Sequence, residues 1–248
     1  MTTIDRTTAT EPSPRDSLRR TAAIAGAFYV LTFVSIPTLA LYGRVHEPDY
    51  IVGAGPDLPV AVGGVLEVVV ALAGIGTAVV LYPVVRRQGE ARALGFVGTR
   101  VLEAAGIFVG VASLLTVVAM RQAGAGADAV VTGRALVAFY DSIFLVSQGF
   151  IPAVNALLLG SLLYQSRLVP RALPLLGLVG AAMLVVSDAG ILFGLWDRLS
   201  PVTAIATIPI AVWEFSLGVY LIVKGFRPSP ITAGMVTAGA RPARNAAV

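Results

Sequence analysis

Residues 21–41 read TAAIAGAFYVLTFVSIPTLAL, 21 positions without a charged side chain. A helix of that length spans about 30 Å, the thickness of a bilayer's hydrocarbon core. Arg15, Arg19 and Arg20 precede the run, so a cleaved signal peptide is the competing reading. The apolar core of a signal peptide is about 7–15 residues long and leads to a small-residue cleavage site. This run is longer and no Ala-x-Ala follows it, so it reads as an uncleaved first span.

Five more apolar runs follow, at about 58–85, 95–120, 135–164, 172–195 and 201–223. The composition agrees: 56% of the 248 residues are hydrophobic and 13% charged, with a mean hydropathy of +0.84. A soluble domain carries about 25% charged residues, so lipid is the solvent this chain suits. The expected fold class is all-α, an integral membrane bundle of six transmembrane helices over residues 18–226. Residues 1–17, polar and rich in Thr and Pro, are expected to be disordered, and the Ala, Gly and Pro-rich segment 227–248 to be a flexible tail.

Six spans place both termini on one side. Arg6, Arg15, Arg19, Arg20, Arg86, Arg87, Arg92, Arg100, Arg167, Arg171, Lys224, Arg227, Arg241 and Arg244 fall at or near that side, against Arg44, Arg121, Arg134 and Arg198 opposite. Fourteen against four predicts cytoplasmic termini in a plasma-membrane protein. Tyr82, Tyr164 and Tyr220 are placed at the inner interface, Tyr42 and Trp196 at the outer one. The basic residues are too dispersed for a nucleic-acid surface, although the pI is about 9.8.

The chain has no cysteine and a single histidine, His46. Disulfides, thiolate metal sites, cysteine nucleophiles, bis-histidine haem and a Ser–His protease are thereby excluded. No cofactor is implied. His46, Glu47 and Asp49 share an expected outer loop and read as a solvated surface in preference to a metal site.

Each span after the first carries an acid: Glu67, Glu103, Asp141, Asp188 and Glu214. Arg100 is the one cation within these runs. An ionised side chain at mid-membrane costs about 2.5–3.5 kcal/mol on insertion scales, so these groups are expected to be paired, hydrogen-bonded or wet. Helical spacing puts small residues on their faces: Gly63, Ala71 and Gly74 with Glu67, Gly106 and Gly110 with Glu103, Gly177 and Ala181 with Asp188, and Ala211 and Gly218 with Glu214. Asp141, Gln148 and Asn155 form a heptad stripe in the fourth span. Small residues mark helix contacts in lipid, so all five acids are expected to face inward. Arg100 and Glu103, three apart on one face, are expected to form an intramembrane ion pair. Pro152 leaves the Gln148 carbonyl without its helical donor.

Other motifs carry less. Asp141 and Asp188 on antiparallel helices resemble the paired aspartates of intramembrane aspartyl proteases, but Val185-Val186-Ser187-Asp188 stands where that family has Gly-x-Gly-Asp. Gly106-x-x-x-Gly110 and Gly190-x-x-x-Gly194 match the helix-packing repeat, within one chain or between copies. Trp196 reads as an interfacial anchor and Trp213 as core.

The run Gly95-Phe96-Val97-Gly98-Thr99-Arg100-Val101-Leu102-Glu103-Ala104, with its Arg-x-x-Glu segment, resembles a bacterial membrane family known as domain of unknown function 4386. Arg20–Gly26 and the stretch from Arg167 to Gly177 support the likeness, which covers about 18–226. The resemblance implies six spans and an actinobacterial type of source, and it brings no activity.

Three functional readings follow from the residues. The first is a small proton- or cation-linked transporter using Glu67, Asp141, Gln148, Asn155, Asp188 and Glu214 as a polar seam. The second is a non-catalytic scaffold or regulatory subunit that packs on a membrane-protein partner or a second copy. The third, carried least by the residues, is an intramembrane hydrolase using Asp141 and Asp188.

Overall fold

A serine followed by a proline starts a helix well: the hydroxyl caps a free backbone N–H, and proline at the first position has none to leave unsatisfied. The pair occurs at Ser13-Pro14, Ser200-Pro201 and Ser229-Pro230, and in the computed structural model, which describes residues 13–239, each opens a helix. The elements are α1 (Pro14–Leu31), α2 (Thr38–Leu41), α3 (Leu58–Val85), α4 (Glu90–Gln122) and α5 (Val130–Phe144). They continue with α6 (Ile151–Ser166), α7 (Ala172–Leu192), α8 (Pro201–Val223) and α9 (Pro230–Gly239). The described residues contain no strand, and six helical stretches are long and apolar enough to cross a membrane.

The first span is broken. Between α1 and α2 the chain tightens into a 3₁₀ turn at Thr32–Ser35, ahead of Pro37. The hydroxyls of Thr32, Ser35 and Thr38 donate to the carbonyls of Tyr29, Thr32 and Ser35 at 2.7, 3.4 and 2.7 Å. These bonds occupy carbonyls near the break, a requirement where lipid offers no donor. The fourth span is broken differently: α5 and α6 are joined by a π-helical turn over Leu145–Phe150, just upstream of Pro152.

Successive spans pack on one another, and α1 packs on both α3 and α8, so the bundle closes into a ring. Closure rests on glycine. A Cβ at Gly26 of α1 would lie 2.4 Å from the Gly218 carbonyl of α8, and one at Gly218 would lie 3.1 Å from the Gly26 carbonyl. Backbone approach of this kind is how helices gain contact in lipid, where burial from water contributes nothing. Outward faces are apolar, with Val65, Leu72 and Val79 of α3 and Val186 of α7 exposed.

The larger core cluster, around Phe96, Leu159, Trp213 and Leu217, occupies the arginine-rich half of the bundle. A second, around Tyr42, Tyr50, Leu114 and Tyr140, lies at the far end. There the segment between α2 and α3 folds inward and buries Tyr42, Val45 and Tyr50. Arg121 pins it, bonded to the Asp57 carboxylate and donating to the Gly53 and Gly55 carbonyls at 2.7 Å each, with its guanidinium over the Tyr50 ring. Burial by itself pushes the Asp57 carboxyl up, but donors from Tyr50, Gln122 and Arg121 outweigh it and hold the group below the usual range.

Several expectations need correction. Residues 14–17 are helical, because Ser13 caps α1 by accepting from the Asp16 amide at 3.2 Å; residues 1–12 lie outside the described residues. The segment after Arg227 is not a simple tail, since α9 forms on a reciprocal Ser229–Thr232 cap; residues 240–248 lie outside the described residues. Gly190-x-x-x-Gly194 is not a packing repeat. Gly190 makes room for the Trp196 ring, and Gly194 ends the helix with a φ of 69°.

Replacing Gly26 by Val should drive a side chain into the α8 backbone and destabilise the protein by about 1–3 kcal/mol. Thermal unfolding in detergent should show a lowered midpoint. Gly98→Ala, where a Cβ meets nothing within 4 Å, should leave it unchanged or slightly raised. Equal behaviour of the two variants would remove the ring-closing role from Gly26.

Candidate functional site

Arg100 lies in the third turn of α4, with its side chain 4% exposed. Nη1 donates to Glu103 Oε2 at 3.0 Å and Nη2 to Glu214 Oε1, on α8, at 2.8 Å. Glu103 Oε2 also accepts from Asn155 Nδ2 of α6 at 2.7 Å, and the Asn155 carbonyl oxygen accepts from the Thr99 hydroxyl. The guanidinium stands 5.7 Å from the ring centres of both Tyr29 and Phe96. One cation thus joins α1, α4, α6 and α8. The planar fork of arginine suits this, since it serves two carboxylates and two rings at once.

A second cluster lies toward the far end. Glu67 of α3, 1% exposed, accepts from the Tyr140 hydroxyl at 2.8 Å. Tyr42 and Gln148 flank the same carboxyl, and its Oε2 has no hydrogen bond. Gly63 is required here: a Cβ would lie 2.3 Å from the Tyr42 ring.

At the far mouth Asp141 meets His46 Nε2 at 3.2 Å and Arg198 Nη2 at 3.0 Å. His46 Nδ1 lies 2.7 Å from the Tyr42 carbonyl. Both ring nitrogens therefore face acceptors, which favours the imidazolium, a donor at both. The bond to Asp141 raises the His46 pKa above its ordinary value, against the lowering effects of burial and of Arg198. A cleft of about 350 Å³ opens beside it, lined by His46, Glu47, Arg134 and Asp141 among others.

Asp188 stands apart. It is 3% exposed on α7, and among the described residues its carboxyl makes no hydrogen bond or ion pair. It faces the π-helical turn: a Cβ at Gly149 would lie 2.8 Å from Oδ2. The neighbouring Ser187 hydroxyl is also buried without a partner, while its carbonyl accepts from Trp196 Nε1 at 3.2 Å.

The structure brings Arg100, Glu103, Asn155 and Glu214 together, although only the first two were expected to pair. Glu67 and Gln148 meet in the second cluster. Asp141 is not an inward-facing acid; its side chain is 39% exposed at the mouth. The heptad stripe fails because the π-helical turn widens the helix between Asp141 and Asn155, so the two no longer share a face. Asp141 and Asp188 have no partner in common, one meeting His46 and Arg198 and the other facing Gly149. From the sequence Tyr29, Tyr140, Thr99 and Arg198 have no site role, Tyr42 reads as interfacial and His46 as part of a solvated loop, because the partners of all six lie on other segments of the chain.

A family model described as a domain of unknown function (DUF4386) matches residues 24–225, a stretch holding every residue of these clusters. No match was found among curated proteins or among solved structures.

Arg100→Met would leave the buried Glu103 and the part-buried Glu214 carboxylates without their cation, and a loss of about 3–5 kcal/mol is expected. The triple variant Arg100→Met, Glu103→Gln, Glu214→Gln should recover most of that loss in detergent unfolding, whereas Arg100→Lys should not. A triple variant as unstable as the single one would refute the charge argument. The His46 contact has the opposite pH sign to a carboxylate clamp. Its contribution is complete below about pH 6.5 and is lost as pH rises through the higher folded-state pKa. Hydrogen exchange in the α2–α3 segment, corrected for intrinsic rate, should therefore quicken as the pH rises above about 6.5 and through the folded-state pKa in the wild type, and not in His46→Gln.

Proposed function

The chain belongs to the family described as a domain of unknown function (DUF4386), and we propose that it is a small proton- or cation-linked transporter whose exchangeable charge sits at Asp188. The observation that carries this reading is the lone carboxyl itself, buried in a membrane span without a hydrogen bond or ion pair among the described residues. An uncompensated carboxylate there costs several kcal/mol, about 2.5–3.5 on insertion scales, unless a proton or a cation balances it. π-helical turns recur at functional sites, and this one presents Gly149 to that carboxyl.

The rest of the seam supports the route. The route we propose starts at the cleft beside His46 and Asp141, passes Glu67 and Gln148 and ends at Asp188. Glu214, with its side chain 18% exposed, stands beyond in the Arg100 cluster. That cluster holds two carboxylates against one guanidinium, a further negative charge for a mobile cation to balance. The arginine bias supports cytoplasmic termini in a plasma membrane, and on that reading the cleft faces outward.

A second reading, a non-catalytic scaffold for a membrane partner or a second copy, is favoured by the solid packing of the arginine-rich half, where Trp213, Tyr29 and Phe96 are fully buried.

Proteoliposomes loaded with a pH-sensitive dye separate the two. An imposed proton or sodium gradient should drive flux in the wild type. Asp188→Asn should reduce it at least tenfold while the protein remains folded, and should also remove a pH-responsive carboxyl band from the infrared difference spectrum. Flux no greater than that of empty liposomes, with Asp188→Asn merely more stable, would leave the scaffold reading.

A further inference from the structure

At the arginine-rich end, a pocket of about 590 Å³ opens between the start of α1, the end of α8 and α9. Its walls carry Arg15, Arg19, Lys224 and Arg227, and among the described residues no acidic side chain lines it. Among the described residues the side chains of Arg15 and Lys224 have no hydrogen bond or ion pair. Like charges gathered without a counter-charge repel one another, so a site of this composition is completed by an anion.

The walls are held in place independently of any ligand. Arg19 caps α8, donating to the carbonyls of Leu221, Ile222 and Val223 at 3.2, 2.6 and 3.2 Å. Gly225, with a φ of 73°, turns the chain back beneath it. Arg227 is anchored through its amide to the Leu168 carbonyl at 2.8 Å and through Nε to the Tyr220 hydroxyl at 3.3 Å. Its terminal nitrogens remain available. The first turn of α9 is closed by its own cap, Ser229 N donating to Thr232 Oγ1 at 2.8 Å and Thr232 N to Ser229 Oγ at 3.3 Å. The anion is therefore met by side-chain cations and not by the end of a helix.

Position decides what the anion belongs to. Arg15 and Arg19 lie six and two residues before the uncharged run that starts at Thr21, and Lys224 directly follows the last span, so the pocket sits at the level of lipid headgroups. Leu18 and Phe226 give it an apolar side. Ile24, Ile222 and Val223 continue an exposed apolar surface from it into the membrane. A cationic socket continuous with an apolar track fits a molecule with an anionic head and acyl tails. We propose that this pocket binds the phosphate group of an anionic membrane lipid. The site is separate from the Asp188 seam and does not depend on the transport reading. It draws on residues on both sides of the family-matched stretch, 24–225.

The test uses the purified full-length chain in a neutral detergent. Phosphatidylglycerol should bind saturably by native mass spectrometry and raise the unfolding temperature. Phosphatidylcholine, and glycerol 3-phosphate at the same concentration, should do neither. Lys224→Gln with Arg227→Gln should weaken phosphatidylglycerol binding at least tenfold, and so should Arg15→Gln with Lys224→Gln, which leaves both arginine anchors intact. Arg86→Gln with Arg87→Gln, basic residues of the same end that do not line the pocket, should leave it unchanged. Equal loss in this control pair would overturn the proposal in favour of diffuse surface charge. Glycerol 3-phosphate binding as tightly as the lipid would overturn the lipid assignment, and retained binding in both pocket variants would overturn the site.

Discussion

Hydrocarbon cannot solvate a charge, and a single guanidinium inside this bundle organises much of its interior around that fact. Arg100 meets Glu103 from its own helix and Glu214 from the last span, while Asn155 and Thr99 complete the shell on the Glu103 side. The four helices that meet there cannot slide or rotate without uncovering a charge. The pairing of α1 with α8 through Gly26 and Gly218 brings Tyr29 over the guanidinium and closes the ring on the same centre.

The same constraint orders the far end with different chemistry. Arg121 gathers Asp57, two loop carbonyls and the Tyr50 ring, turning a long connection into a packed cover. Arg198 and His46 share Asp141 at the edge of that cover. Arg100, Glu103 and Glu214 in the centre and Asp57, Arg121, Asp141 and Arg198 at the far end therefore all have partners. Against that background the isolation of Asp188 is informative, because the rest of the bundle indicates what a buried charge here normally has.

Much of the span pattern was legible because hydropathy is local: a run of apolar residues is a run whatever it later touches. The Arg100–Glu103 contact was legible for a similar reason, since three residues along a helix is a fixed distance. The Ser-Pro starts of α1 and α9 are also present in the sequence, but their segments read by composition, polar around α1 and Ala, Gly and Pro-rich around α9, as disordered or flexible. Asp141, Gln148 and Asn155 mark where this reasoning fails. Their heptad spacing presumes a constant 3.6 residues per turn, and the π-helical turn before Pro152 breaks that presumption inside the stripe.

By itself the sequence determined that the chain is a six-helix membrane protein and which acids must find compensation, since these follow from counts and spacings along one helix at a time. Only the tertiary structure decided that Glu214 answers Arg100 across 114 residues, that Glu67 meets Tyr140, that Asp141 belongs to the mouth and that Asp188 faces Gly149 with no partner among the described residues. Those outcomes depend on how each helix is rotated about its own axis and on which helices are neighbours, and both are set by packing contacts that no single segment encodes.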